Sequence, residues 1–159
     1  MTMSRDGLEH LSAYFDALLA DLSPARRKVV ARKIGMRLRR LNARRIAANV
    51  EPDGGAMEAR KSRARQQKHR PGRGRRMFRE IAKARNLRVR PSPDGVELAF
   101  PGAIGRVAAE HHFGLEGYVG KTRAGRTIRA RYPARRLLGF GPEDLDAVAD
   151  EVLAWLDRD

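Results

Sequence analysis

Leu87-Arg88-Val89-Arg90, then Pro91-Ser92-Pro93-Asp94-Gly95, then Val96-Glu97-Leu98-Ala99-Phe100 is the stretch that decides the fold. Two short runs alternate apolar and charged residues on either side of an Asp-Gly pair. That pattern predicts a β-hairpin, because Asp-Gly supplies the turn conformation that right-twisted strands need. The strands are expected at 87–90 and 96–100. Upstream, Met77 to Ala84 reads as a short helix with Met77, Phe78 and Ile81 inward. Downstream, Ile104 to His112 reads as a helical turn or two stopped by Gly114. Gly117 to Gly125 is expected to be a flexible glycine-bearing loop, and Thr127 to Tyr132 a third strand. This sheet-containing core, 77–140, closes on two compact signatures. One is His111-His112-Phe113-Gly114-Leu115; the other is Arg131-Tyr132-Pro133-Ala134-Arg135-Arg136-Leu137-Leu138-Gly139-Phe140.

Helices flank this core. Asp6 and Glu9 form a capping-box pattern before Leu8, Leu11, Phe15, Leu18, Leu19 and Leu22, which predicts a helix over 7–21 with one apolar stripe. Ser23-Pro24 restarts the chain, since serine caps well and proline suits the first helical position. The second helix is expected to reach about Ala48, with Val30, Ile34, Leu38 and Leu41 inward. Together these helices occupy 7–48. Asn49 to Gly55 then breaks the pattern with a proline and two glycines. Gly141-Pro142-Glu143-Asp144 opens a terminal helix over 142–157, its acids placed against the helix dipole. Leu145, Val148, Val152, Leu153 and Leu156 form the expected inward stripe. The sum is a single α+β domain over 1–159: an N-terminal helical pair, a small antiparallel β-sheet with short helices, and a C-terminal helix.

Charge is distributed unevenly along the 159 residues, whose formal net charge is +15. Residues 24–50 carry ten Lys/Arg and no acid, whereas 143–159 carry seven acids against Arg158. The segment 56–76 lacks apolar periodicity and reads as a long, mobile, basic loop. Arg60, Lys61, Arg63, Arg65, Lys68, Arg70, Arg73, Arg75 and Arg76 are its candidate partner or phosphate contacts. The arginine-rich second helix is open to two readings, a solvated face with shielding arginine stems or an anion-facing surface. Basic middle against acidic end also permits contact between copies.

Several function classes are disfavoured. There is no cysteine, so no disulfide, thiolate nucleophile or cysteine-ligated zinc is available. No apolar run approaches the ~20 residues that span a bilayer, and the start lacks a signal-peptide pattern; a soluble cytoplasmic product is expected. Gly117 to Thr122 fails as a phosphate-binding loop, because its required first glycine would fall at Leu115. His111 and His112 are adjacent, so on a helix they point to different faces and cannot ligate one metal together. One packed and one exposed histidine is the expectation. No nucleophile setting or carboxylate pair stands out, so neither catalysis nor a cofactor or metal is expected.

The order of these features resembles the phage virion morphogenesis family, the tail-completion proteins of contractile-tailed and Mu-like phages and prophages. The resemblance rests on the leucine-striped helix, the Ser-Pro-initiated arginine-rich helix ending at Arg44-Arg45-Ile46, and the break Glu51-Pro52-Asp53-Gly54. It continues through Met77-Phe78-Arg79 and Asp94-Gly95-Val96-Glu97-Leu98. Its most specific parts are His111-His112-Phe113-Gly114 and Tyr132-Pro133-Ala134-Arg135 leading to Leu137-Leu138-Gly139. The family often has glutamine at the position of His112 and asparagine at that of Glu51. The resemblance implies a non-enzymatic protein that completes the head-proximal end of the tail and enables head–tail joining. It implies copies of the chain in a ring, six by expectation. Its partners would be tail-tube or head–tail connector proteins, and its places the host cytoplasm during assembly and then the tail or neck of the virion. Arg135 is expected as a subunit contact or a solvated charge. The alternative is a nucleic-acid-binding accessory protein that uses the basic helix and loop on phosphates; no membrane role is expected.

Overall fold

The computed structural model describes residues 23–59 and 77–156; the helix expected at 7–21 and residues 60–76 of the basic loop lie outside them. The element order is α1 (Pro24–Ala48), a 3-10 helix (Ala84–Asn86), β1 (Arg88–Ser92), β2 (Gly95–Ala99), α2 (Gly102–His112), β3 (Glu116–Lys121), β4 (Thr127–Arg131) and α3 (Pro142–Leu156). The class is α+β. The strands form two separate antiparallel hairpins, β1–β2 and β3–β4, where one small sheet was expected.

α1 begins and ends where local chemistry dictates. Ser23 Oγ accepts the Arg26 amide at 3.3 Å with Pro24 at the first helical position. Asn49 closes the helix in the left-handed conformation, its amide donating to the Arg45 and Ile46 carbonyls. The buried face runs through Ala31, Gly35, Leu38, Asn42, Ala43 and Ile46. Val30, Ile34 and Leu41 are only half-buried, so the face is rotated from the expected one toward smaller residues. Gly35 explains why. A Cβ there would lie 2.4 Å from Val89 Cγ1 and 2.5 Å from Val96 Cγ2, so the helix backbone rests directly on the first hairpin.

That hairpin follows its pattern. Val89 pairs with Leu98 and Pro91 with Val96 on the half-buried face, while Arg90 and Glu97 pair outward. The turn is tighter than expected, only Pro93-Asp94. The helix expected over 77–84 is instead a set of turns followed by the 3-10 helix. Phe78 has φ +57, a left-handed conformation that cannot continue a right-handed helix. Ile81 is nevertheless buried, in one cluster with Ile46, Met57, Ala108 and Leu137. Gly117 to Gly125, expected as a loop, forms most of β3 and its turn. Of its glycines, Gly117 serves close packing: a Cβ there would lie 2.3 Å from Glu110 Oε2 and 2.7 Å from the Tyr132 ring.

α3 shows the largest departure. Its buried residues are Asp144 and Ala147, whereas Leu145 and Leu153 of the expected inward stripe are 62% and 59% exposed. Electrostatics sets its rotation. Asp144 Oδ2 accepts Arg45 Nη1 at 2.5 Å and the Gly141 amide at 2.8 Å, which also caps the helix. Further along the antiparallel pair, Arg44 meets Glu143 and Arg37 meets Asp150 and Glu151. Four of the seven acids of 143–159 therefore meet α1 arginines within one chain. No helix among the described residues is long and apolar enough to cross a membrane.

Candidate assembly site

The two signatures meet each other. The Arg135 amide donates to the His111 carbonyl at 2.8 Å, and the Leu137 amide donates to His112 Nδ1 at 3.2 Å. Gly114, at φ +65, backs onto Ala134, whose amide would lie 3.0 Å from an added Cβ. Arg131 Nε reaches the Gly114 carbonyl at 3.4 Å. Tyr132 lies against His111 with ring centroids 4.2 Å apart, and His111 meets Phe78 edge-on at 4.9 Å. Pro133 and Leu138 are half-buried, Leu137 is 1% exposed, and Phe113 stands outside at 66%.

Arg135 is the centre of this clasp and is only 3% exposed, so it is neither an outward subunit contact nor a solvated charge in the described chain. Its guanidinium donates to the Glu58 carbonyl at 2.6 Å, the Ala59 carbonyl at 3.3 Å and His111 Nδ1 at 3.2 Å. Hydrogen bonds to a charged group contribute about 1.5–3 kcal/mol each, which offsets the burial of an unpaired cation. Burial holds its pKa below the ordinary arginine value, while Glu58 nearby opposes that shift. Because a guanidinium has no acceptor, His111 Nδ1 must be unprotonated in this contact. Both histidines are half-buried, against the expectation of one exposed. Burial and then the charge of Arg136 lower the His112 pKa, with Glu51 opposing.

A second junction joins the clasp to the Pro-Asp-Gly break. Arg136 Nε bonds Glu51 Oε2 at 2.8 Å and its Nη2 bonds Asp53. Pro52 packs against Gly139 and Gly141; a Cβ on Gly139 would lie 2.7 Å from Pro52 Cγ. The backbone amide of Gly55 and then Arg136 hold the Asp53 carboxyl below the usual carboxylate range.

Above these junctions lies the outward surface. An open groove of about 580 Å³ runs between β2, α2 and the Leu137–Phe140 segment, with Leu38 and Asn42 of α1 among its lining. Phe113 and Phe140, the latter 70% exposed, also line it. On another side, residues 121–131 of the β3–β4 hairpin are exposed without interruption and include Lys121, Arg123, Arg126, Arg129 and Arg131. Sequence reading placed the candidate contacts in the basic loop at Arg60 to Arg76, outside the described residues, and passed over this ribbon. The signal available was the period-two spacing of Arg129 and Arg131 in the expected third strand. Among the described residues, no group of three His, Asp or Glu side chains is placed to hold a metal.

These features define a small α+β protein with its distinctive residues in internal junctions and an apolar groove and basic ribbon facing outward. The chain belongs to the phage virion morphogenesis family, whose model matches residues 6–157. It is 35% identical over 143 residues to tail completion protein S of Escherichia phage P2, covering 89% of this chain and 91% of that protein. No solved structure matches the chain significantly.

Proposed function

We propose that this protein is a non-enzymatic assembly component of a phage tail that completes its head-proximal end and enables head–tail joining. The observation that carries this reading is the near full-length similarity to a protein named for tail completion, within a family named for virion morphogenesis. The fold supports it physically. The family signatures are occupied in holding the subunit together, which leaves recognition to the outer surfaces rather than to a reaction centre. Copies of the chain assemble as a ring at the tail end, six by expectation, in contact with tail-tube or connector proteins. The arginines of residues 60–76 serve as partner contacts. The protein resides in the host cytoplasm during assembly and in the tail or neck of the finished virion.

Electron microscopy of particles from an inducible phage lacking this gene, beside a complemented control, tests the reading. Filled heads alongside separate tails of unfinished or irregular end are expected. Normally joined virions from the deletion would reject it.

A further inference from the structure

The β3–β4 ribbon carries charge that the rest of the described molecule does not use. Its register places Glu116 opposite Arg131, Tyr118 opposite Arg129 and, past a bulge at Val119, Lys121 opposite Thr127, so these side chains share one face. The other face holds Gly117, Gly120, Ile128 and Ala130. The tip is closed by hydrogen bonds: the Thr122 amide donates to the Arg126 carbonyl at 2.8 Å, and Thr122 Oγ1 accepts the Arg126 amide at 3.0 Å. Gly125, at φ +78, closes the turn. A two-stranded ribbon alone is marginal in water, and here its base is anchored by Gly117 and Tyr132.

Lys121, Arg123, Arg126 and Arg129 form no ion pair among the described residues, although Arg37, Arg44 and Arg45 do. An acidic surface on a second copy is a poor numerical match. On α3, Glu143, Asp144, Asp150 and Glu151 already face arginines of α1, which leaves Asp146, and the other described acids outside an ion pair, Glu58, Asp94, Glu110 and Glu116, are scattered over separate elements. Duplex DNA fits better. It presents one charge per ~1.7 Å of axis, and its major groove, roughly 12 Å wide, admits a two-stranded ribbon. We propose that the basic face and tip of the β3–β4 ribbon bind the phosphate backbone of duplex DNA without reading its sequence. Tyr118, 58% exposed and directly across from Arg129, adds a hydroxyl that can donate to phosphate. The hydrogen bonds of the tip hold the backbone that presents these charges, which limits the freedom lost on binding. This inference does not depend on the tail-assembly reading.

Fluorescence anisotropy of the full chain with two unrelated short duplexes, in salt from about 50 to 200 mM, tests it. One variant replaces Lys121, Arg123, Arg126 and Arg129 by glutamine. A control of equal charge replaces the exposed α1 residues Lys28, Arg32, Lys33 and Arg40 by glutamine. The wild-type chain should bind both duplexes alike, with steep salt dependence. The ribbon variant should bind at least ~10-fold more weakly, with a log–log salt slope shallower by roughly 3 to 4. The control should change that slope by no more than about one. Equal weakening by both variants, or no duplex binding in the lowest salt, overturns the proposal. So does a ribbon variant that binds DNA normally but loses self-association by sedimentation, which would assign the ribbon to a protein partner. Circular dichroism melting checks folding. If the ribbon variant is unfolded, Lys121→Glu and Arg129→Glu made singly carry the same salt test.

Discussion

His112 shows how one side chain ties a family signature to pH. Its Nδ1 accepts the Leu137 amide, so protonation removes an acceptor at the point where the two signatures meet. Burial, then Arg136, depresses its folded pKa below the ordinary value near 6.5. A depressed pKa means that the unfolded chain takes up the proton first. The stabilising contribution is therefore complete above about pH 6.5 and is lost as pH falls through the folded value. The melting temperature should drop on acidification below pH ~6.5. His112→Gln keeps an acceptor without titrating there and should flatten that part of the profile. Identical profiles for the two proteins would show that His112 does not report folding.

At the level of elements, α1 and the β1–β2 hairpin approach through the notch at Gly35. The contacts of 2.4 and 2.5 Å for an added Cβ fall on the stiff, branched side chains of Val89 and Val96, which cannot swing clear. Helix propensity alone would favour alanine there by about 0.8–1.0 kcal/mol. Overpacking costs about 1–3 kcal/mol and should win. Gly35→Ala is thus expected to lower the urea midpoint, and Gly35→Ala combined with Val89→Ala should recover part of the loss. A stabilised single variant would mean that α1 can shift along the hairpin. The α1–α3 pair is oriented differently, by the 0%-exposed Asp144 carboxylate against Arg45, with apolar side chains of α3 left outside.

Across the whole molecule, a net charge of +15 opposes compaction through self-repulsion. The outer ion pairs between α1 and α3 are weak counterweights: Arg44 and Glu143 are 69% and 70% exposed, where such pairs contribute about 0–1 kcal/mol. Added salt screens both terms, but repulsion acts over more of the surface. Raising salt from low to physiological ionic strength should lift the melting temperature by about 2–4 °C, corresponding to ~1 kcal/mol. Differential scanning calorimetry in a chloride series checks this. A falling melting temperature would show that the ion pairs outweigh the repulsion.

The sequence by itself determined where several elements start, stop and turn, because those decisions are local. Ser23-Pro24 caps α1, Asn49 and the Pro-Asp-Gly break end it, the Pro91–Gly95 run turns the first hairpin, though at Pro93-Asp94, and Gly141-Pro142 opens α3. Each depends on backbone conformation or a cap within a few residues. Tertiary structure alone decided which faces turn inward and what the signatures do. Asp144 rather than Leu145 is buried because its partner Arg45 lies 99 residues away. Gly117 joins a strand by pairing with Ala130, and Glu110 and Tyr132 leave no room for a Cβ there, which its local sequence does not state. Arg135 reads as a surface charge until the Glu58 and Ala59 carbonyls, 77 and 76 residues earlier, arrive to accept its hydrogen bonds. A buried polar group is stable only with its partners assembled around it, and those partners are set by the fold, not by neighbours in the chain.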